Sequence, residues 1–324
     1  MAKGLIRALG VACLALAAIG GAPARAETYP SRPIDLVVPY APGGASDVIA
    51  RTLAPYLQQE LGVNIIVSNR AGANTAIAAT YMTRAPHDGY TVMLADVALV
   101  LNAAEHGPAA GYDPVKDYTP MGMVGSAPFV LFVPDAGASL SLKDFLAEGK
   151  NRPLNIANAG PGSLGHLGAE LLRLKTSLNI VSVPYRGSGP AMTDTIARHV
   201  DATFGSTASG MPLVATHQLR ALAVAAPQRM ADFPDIPTFD ELGYPGVNVL
   251  NWWGIIAPAG TDPQRADRIH EALVKIAARP DVQQKLSALG VTPTIKASAD
   301  YGKVIKQDME LWRKVVVDAN IKVD

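Results

Sequence analysis

A strand, a glycine-rich loop and a helix follow one another early in the sequence, and this order constrains the fold more than any other feature. The apolar run 34–38 predicts a buried strand, and the prolines and glycines of 39–44 predict a turn. Ser46 or Asp47 is placed to cap a helix whose apolar residues recur on one face as far as Leu61. Backbone N–H groups and the positive end of the helix dipole would face this loop. The pattern predicts an anion site, with an ordinary strand-to-helix turn as the alternative.

The first 26 residues have the pattern of a secretory signal peptide. Lys3 and Arg7 form a basic start, an apolar core of about 12 residues follows, and Ala24-Arg25-Ala26 matches an A-x-A cleavage site. The core is too short to span a bilayer. Cleavage after Ala26 would also remove Cys13, the one cysteine, so disulfides and thiolate chemistry are not expected. These features indicate a periplasmic protein.

The charge and length of the mature chain exclude some classes of function. The 324 residues include 28 Lys and Arg and 28 Asp and Glu, and three of the basic residues lie in the signal, which leaves a net charge of −3. No basic tract interleaved with aromatic residues occurs, so a nucleic-acid partner is not expected. The length that remains is enough for two domains.

Apolar strand patterns alternate with helical patterns through most of the chain, which predicts an α/β protein with mostly parallel sheets. Strands are predicted over 34–38, 64–68, 90–95, 154–158, 180–183, 202–204 and 219–225. Helices are predicted over 46–61, 73–85, 164–175, 190–199, 207–217, 263–279, 281–289 and 297–318.

Two apolar pieces, 121–124 and 129–133, indicate a crossing between domains, and a second crossing is expected near 249–257. Two crossings imply a hinge and a cleft. The predicted domains are 27–126 plus 250–324, and 127–249.

Residues 159–166 form a second glycine loop between a predicted strand and helix. Its glycines fit the G-x-G-x-x-G pattern, but the next strand lacks the acid that a dinucleotide site needs for the ribose, so no cofactor is predicted. Ser163 and His166 would add a hydroxyl and a ring N–H. The i, i+4 spacing of His166 and Glu170 indicates a helix-surface pair rather than a metal site.

A third loop, 184–190, repeats the geometry, with Ser188 or Gly189 as the helix cap and Pro190 in the first turn. In α/β sheets, ligands bind at the carboxyl ends of strands, where all three loops lie. The loops would converge on the cleft and bind an anion through backbone N–H groups and hydroxyls. No G-x-S-x-G or H-E-x-x-H pattern occurs, and catalysis is not predicted.

The chain resembles the periplasmic solute-binding receptors of tripartite tricarboxylate transporters, called Bug-type receptors. The stretches that carry the resemblance are YPSRPI (29–34), VPYAPGGASD (38–47), NRAG (69–72), PHDGYT (86–91), YDPVKD (112–117), GSLGHL (162–167), VPYRG (183–187), LRALAV (219–224), PDIPT (234–238) and WGIIAPAGT (253–261).

The resemblance implies a two-domain clamshell, expected as a monomer, that closes on a small carboxylate and delivers it to integral-membrane transporter subunits. In the family pattern, the loop at Tyr40–Asp47 holds one carboxylate, partly through ordered water, and the loops at 159–166 and 184–188 close over it. The predicted ligand-binding residues are Tyr40, Pro42, Gly43, Gly44, Ser46, Asp47, Asn102, Ala159, Gly160, Gly162, Ser163, His166, Tyr185, Arg186, Gly187 and Ser206.

Two departures from the family pattern bear on the ligand. Where members often continue with glycine after residue 72, this chain has Ala73-Asn74-Thr75, a bulkier and more polar wall. Where members often have Phe-Asp-Ser, it has Phe204-Gly205-Ser206. Without an acid to hold an ammonium, we expect a mono- or dicarboxylate, aliphatic or aromatic, rather than an amino acid.

Several residues have a structural alternative to ligand binding. Asp47 and Asn102 could cap helices, Tyr40 and Tyr185 could be packing residues, and Arg186 could extend into solvent. For the whole protein, the alternatives to a receptor are a periplasmic enzyme acting on a small carboxylate and a sensor subunit that docks on a membrane kinase. Turnover would identify the enzyme, and neighbouring genes would distinguish the sensor.

Overall fold

The computed structural model describes residues 28–42, 45–135, 141–185 and 187–321. The predicted signal peptide, Gly43, Gly44 and Arg186 lie outside these ranges. Within them, no helix is long and apolar enough to cross a membrane.

The described residues form ten strands and ten α-helices. The strands are β1 (Ile34–Val38), β2 (Ile65–Asn69), β3 (Thr91–Asp96), β4 (Tyr118–Pro134), β5 (Leu154–Asn158), β6 (Ile180–Pro184), β7 (Ala202–Ser206), β8 (Leu219–Ala225), β9 (Leu250–Pro258) and β10 (Thr292–Lys296). The helices are α1 (Ala45–Leu61), α2 (Ala76–Met82), α3 (Ala98–His106), α4 (Leu142–Glu148), α5 (Leu164–Thr176), α6 (Ser188–Ile196), α7 (Thr207–Ala215), α8 (Pro263–Ala277), α9 (Pro280–Ala288) and α10 (Ser298–Asp318).

One mixed sheet runs through the molecule in the order β2-β1-β3-β9-β4-β7-β5-β6. The strands β2, β1 and β3 pair in parallel, and so do β7, β5 and β6. Antiparallel pairs of β4 and β9 join these two groups, and β8 and β10 add further antiparallel partners to β4. The predicted α/β class is confirmed.

The long strand β4 connects the two halves of the sheet. Its first part pairs with β9 and β10, and from Phe129 onward it pairs with β7 and β8. The sequence predicted two separate pieces here. The chain instead continues as one strand, because two shifts of register against β9 absorb the irregular residues near Gly122 and Gly125. The second crossing lies beside the first, since Phe129 donates its N–H to the Val249 carbonyl at 2.8 Å.

The apolar face predicted for the first helix is the one that α1 buries. Ile49, Leu53, Leu57 and Leu61 are each at most 6% exposed and belong to one core with the residues of β1. Their spacing follows the helical period, which turns one stripe of the helix toward the sheet.

Other elements differ from the prediction. The helix predicted over 73–85 is shorter, Ala76–Met82, because the three residues before it adopt left-handed backbone angles. The final third is not helical throughout, since β10 lies between α9 and α10 and pairs with β4. Helices α3 and α4 were not predicted.

Candidate functional site

Asp96, at the carboxyl end of β3, accepts hydrogen bonds from residues at both ends of the first glycine loop. It accepts hydrogen bonds from the Tyr40 hydroxyl at 3.0 Å, from the Ser46 hydroxyl at 3.1 Å and from the backbone N–H of Ala98 at 3.1 Å. Ser46 in turn accepts a hydrogen bond from Trp253 Nε1 at 3.0 Å. The two ends of the loop are therefore fixed to β3, and Ser46 is tied to β9.

The electrostatics of this cluster follow from burial. Asp96 is 5% exposed, and loss of solvation raises its pKa, although the hydrogen bonds from Tyr40, Ala98 and Ser46 oppose the rise. Burial and the adjacent Asp96 also raise the pKa of Tyr40 well above its usual value. Two predicted ligand hydroxyls, those of Tyr40 and Ser46, are thus hydrogen-bonded inside the protein. The N–H groups in the first turn of α1 have no intrahelical acceptor, so they are donors that this end of the loop can offer to a ligand.

Asp47 and Ser46 do not cap α1, because the helix already begins at Ala45. Asp47 is 2% exposed and accepts hydrogen bonds from Arg51 Nε at 3.0 Å and from Asn69 Nδ2 at 2.8 Å. Asn69 Nδ2 also donates to the Tyr40 carbonyl at 2.9 Å. Asp47 and Asn69 together hold the loop against the end of β2.

The second loop connects β5 to α5. The Gly160 N–H donates to Asn158 Oδ1 at 3.0 Å, and the Ser163 hydroxyl caps α5 by accepting the N–H of His166 at 3.2 Å. Gly162, with φ of +69°, donates its N–H to His166 Nδ1 at 3.1 Å. Burial lowers the pKa of His166, which favours the neutral ring. Because Nδ1 accepts from Gly162, the neutral ring carries its proton on Nε2, and this N–H is the donor that the ring can offer to a ligand.

Glu170 accepts a hydrogen bond from Arg173 Nε at 2.6 Å, and its charge also acts on His166, where it raises the pKa against the effect of burial. Among the described residues, no group of three or more His, Cys, Asp or Glu side chains could hold a metal ion.

The third loop connects β6 to α6 and touches the second. An added Cβ on Gly160 would lie 3.2 Å from the Tyr185 carbonyl oxygen. The Tyr185 hydroxyl donates to Asp194 Oδ2 at 2.7 Å, which directs the ring tip toward α6. The helix cap is Gly187, at φ +122°, and not Ser188 or Gly189 as predicted.

Two other predicted ligand residues have internal roles. Ser206 caps α7 by accepting the N–H of Ser209 at 3.3 Å. Asn102, in the middle of α3 and 4% exposed, donates to the Ala73 carbonyl at 3.3 Å and accepts from the Tyr112 hydroxyl at 3.3 Å. It does not cap a helix, and it ties α3 to the segment before α2.

Sequence reasoning missed two acids at the site, Asp96 and Glu105. Asp96 follows a buried strand directly, and the rule that located the glycine loops could have found it. Glu105 lies in the last turn of α3 and faces the second loop, where an added Cβ on Gly162 would lie 2.6 Å from its carboxylate oxygens.

Gly205 does not face the cleft. A Cβ at this position would lie 2.3 Å from Met192 Cε and 3.7 Å from the Phe132 ring, inside an apolar core. An acid at position 205 would be buried there. The lack of an acid at position 205 therefore gives no reason for the cleft to reject a ligand with an ammonium group, and that prediction is wrong in its premise.

Comparison with known proteins identifies the family. The sequence matches the family described as "Tripartite tricarboxylate transporter family receptor" over residues 49–321. The chain belongs to this family. It is 35% identical over 323 residues to BugT of Bordetella pertussis, covering 98% of this chain and 99% of BugT.

Solved structures agree with this assignment. The periplasmic binding protein BugD is 31% identical, with a TM-score of 0.73 over 91% of this chain and 99% of BugD. A Rhodopseudomonas palustris protein, Rpa4515, solved with adipate, is 30% identical, with a TM-score of 0.76 over 91% of this chain and 99% of Rpa4515. MatC from the same organism, solved with bound malate, is 28% identical, with a TM-score of 0.72 over 89% of this chain and 100% of MatC. The predicted two-domain clamshell of periplasmic binding proteins is confirmed.

Proposed function

We propose that this protein is a periplasmic receptor that captures a small carboxylate by domain closure and delivers it to the membrane subunits of a tripartite tricarboxylate-type transporter. Family membership supports the receptor role, and two neighbours of similar fold are solved with adipate and malate. The observation that carries the proposal is the set of three strand–loop–helix junctions, β1 to α1, β5 to α5 and β6 to α6, drawn from both halves of the sheet.

Each junction offers the same chemistry. The N–H groups of a first helical turn have no intrahelical acceptor, and the helix dipole adds partial positive charge, so a carboxylate is stabilised there. Because Tyr40, Ser46 and Asp47 are engaged within the protein, backbone N–H groups would provide most contacts at the first loop. The sixteen residues predicted from the sequence remain our proposed ligand-binding set.

We also propose that domain one comprises 27–126 and 250–324, that domain two comprises 127–249, and that the signal is cleaved after Ala26 to release a monomer. The pairing of the two parts of β4 with different strands supports a boundary near Phe129. The adjacent crossing at Val249 would form the other strand of the hinge.

A thermal-shift screen of carboxylates against the mature protein would test carboxylate capture. We expect dicarboxylates, aliphatic or aromatic, to give the largest shifts, because two similar proteins are solved with dicarboxylates. A ligand at 100 times its dissociation constant stabilises the fold by about 2.7 kcal/mol. The absence of a shift with every carboxylate would contradict the proposal, and consumption of a ligand during incubation would favour the enzyme alternative.

Delivery needs a separate experiment. Cells that lack this gene should lose uptake of the labelled ligand, and the gene should restore it only when the membrane subunits are present. Uptake that persists without the protein would contradict a transport role.

A further inference from the structure

Glu105 is a carboxylate in the contact between the two halves of the molecule. It lies on α3, which follows β3, while Gly162 belongs to the loop between β5 and α5. Both carboxylate oxygens lie 2.6 Å from the position of an added Cβ on Gly162. A side chain at position 162 would therefore displace the carboxylate of Glu105 from where it lies.

Hydrogen bonds within residues 28–42, 45–135, 141–185 and 187–321 do not explain why the carboxylate of Glu105 is partly buried. Its Oε1 atom is fully enclosed and has no hydrogen-bond partner there. The Gly162 N–H beside it donates to His166 Nδ1 instead. An enclosed acceptor without a partner costs free energy, and more so when it is charged.

The position of Glu105 on its helix adds to this cost. It lies in the last turn of α3, where the negative end of the helix dipole disfavours a carboxylate. Desolvation by burial accordingly raises its pKa. The charge of His106 opposes this rise, but no hydrogen bond from the described residues satisfies Oε1, whereas a ligand in the adjacent cleft could.

We propose that Glu105 contacts the bound ligand and makes the receptor select carboxylates that also carry a hydrogen-bond donor, a hydroxyl or an ammonium group. This inference rests on the proposed receptor function and refines its ligand class. Once the contact with Gly162 opens, a donor on the ligand would satisfy the Oε1 atom, whereas a second carboxylate in the same place would face a like charge. The acid that recognises an amino or hydroxy group thus comes from α3 and not from position 205.

Succinate, malate and aspartate test this proposal, because they share one carbon skeleton and differ only by hydrogen, hydroxyl or ammonium at one carbon. Glutarate, 2-hydroxyglutarate and glutamate form a second series for a longer site. We expect the wild-type protein to bind a hydroxy or amino member about tenfold more tightly than the unsubstituted acid, since charge-assisted hydrogen bonds are roughly twice as strong as neutral ones. Calorimetry on the mature protein would measure the ratio.

Glu105→Gln keeps the shape of the side chain and removes its charge. We expect it to bring the members of a series within about threefold of each other, mainly by weakening the ammonium ligand, without lowering the melting temperature. Glu310→Gln, at an exposed position on α10, is the matched control and should keep the wild-type ratio.

Two results would overturn the role of Glu105: a wild-type protein that binds the unsubstituted acid as tightly as the others, or a Glu105→Gln variant with an unchanged ratio. In both cases carboxylates still bind, so the receptor proposal would survive. If neither series binds to the wild-type protein, the ligand class proposed here is overturned, and the wider carboxylate screen decides the receptor proposal.

Discussion

Two aspartates, Asp96 at the end of β3 and Asp308 on α10, are stabilised to different extents. Asp96 accepts three hydrogen bonds, from Tyr40, Ser46 and Ala98. Asp308, on α10, accepts one hydrogen bond, from Trp252 Nε1 at 2.6 Å, and burial raises its pKa to about 6. Because the number of donors differs, the two acids should respond differently to substitution.

Asp308 should make stability depend on pH. Its folded pKa of about 6 lies above the usual aspartate pKa of 3.8, so the folded state binds the proton more tightly, and stability falls as pH rises through that interval. Asp308→Asn can still accept from Trp252 and should be more stable than wild type by about 1–3 kcal/mol at pH 7, with little difference near pH 4. Urea unfolding across this range would measure it, with Glu310→Gln as control. Equal gains at both pH values would contradict the titration of Asp308.

Asp96 should be needed for the first loop. Asp96→Ala leaves the Tyr40 and Ser46 hydroxyls and the Ala98 N–H without their acceptor, and we expect a loss of about 2–4 kcal/mol of unfolding free energy. Tyr40→Phe removes one donor and should cost only about 1 kcal/mol. Chemical denaturation would compare the variants. An Asp96→Ala protein as stable as Tyr40→Phe would mean that Asp96 does not organise the loop.

At the scale of elements, the segment before α2 carries backbone strain. Ala73, Asn74 and Thr75 have φ values of 46°, 43° and 77°, a left-handed run that side chains disfavour. The Ala73 carbonyl accepts from Asn102, and α2 starts directly after this run. This contact holds the strained segment against α3.

Glycine should relieve part of this strain. Ala73→Gly is expected to raise the unfolding free energy by about 0.5–1 kcal/mol, because glycine adopts positive φ without a steric penalty. Ala76→Gly, at the first position of α2, is the matched control and should lower it by up to about 1 kcal/mol. Thermal denaturation would separate the two. Destabilisation by Ala73→Gly would show that its methyl contacts outweigh the strain.

Hydrophobic patterns predicted the strands and helices in which apolar residues recur with the period of that element. The strand at 34–38 and the amphipathic helix α1 are clear in the sequence, because one side of each faces the core. Helix α3 has no such stripe, since six consecutive residues, Leu99–Ala104, are all buried, and Glu105 at its end was missed with it. The short β10 depends on pairing with a distant strand, which local sequence does not encode.

For the site as well, the sequence predicted the features that local residues determine and missed those that depend on distant residues. The glycine loops were located correctly because their turns are specified locally. The partners of their side chains could not be inferred, since Asp96 and Trp253 reach Ser46 from sites 50 and 207 residues away in sequence. The orientation of Gly205 was likewise fixed only by the packing of Met192 and Phe132.

At the scale of the whole molecule, the two halves of the sheet are linked by the adjacent crossings at Phe129 and Val249 and touch again where Glu105 meets Gly162. The first contact joins the continuous strand β4 to the segment that enters β9 at Leu250, and the second is a contact between side chain and loop. A hinge at the strands would change the second contact while leaving the first intact. Ligand would then favour the closed state by its difference in affinity for the two states.

Domain closure can be measured directly, because the mature chain would contain no cysteine once the predicted signal is removed. Val181 and Val317 are 42% and 70% exposed and lie in opposite proposed domains, so Val181→Cys with Val317→Cys provides a pair for fluorescent labels. Ile66, 55% exposed, lies in the same proposed domain as Val317, and Ile66→Cys with Val317→Cys is the matched control. With the carboxylate that gives the largest melting shift, we expect energy transfer to change for the first pair and to stay constant for the second. A constant signal from both pairs at saturation would contradict the hinge, and a change in both would place the motion within the first domain rather than between the two.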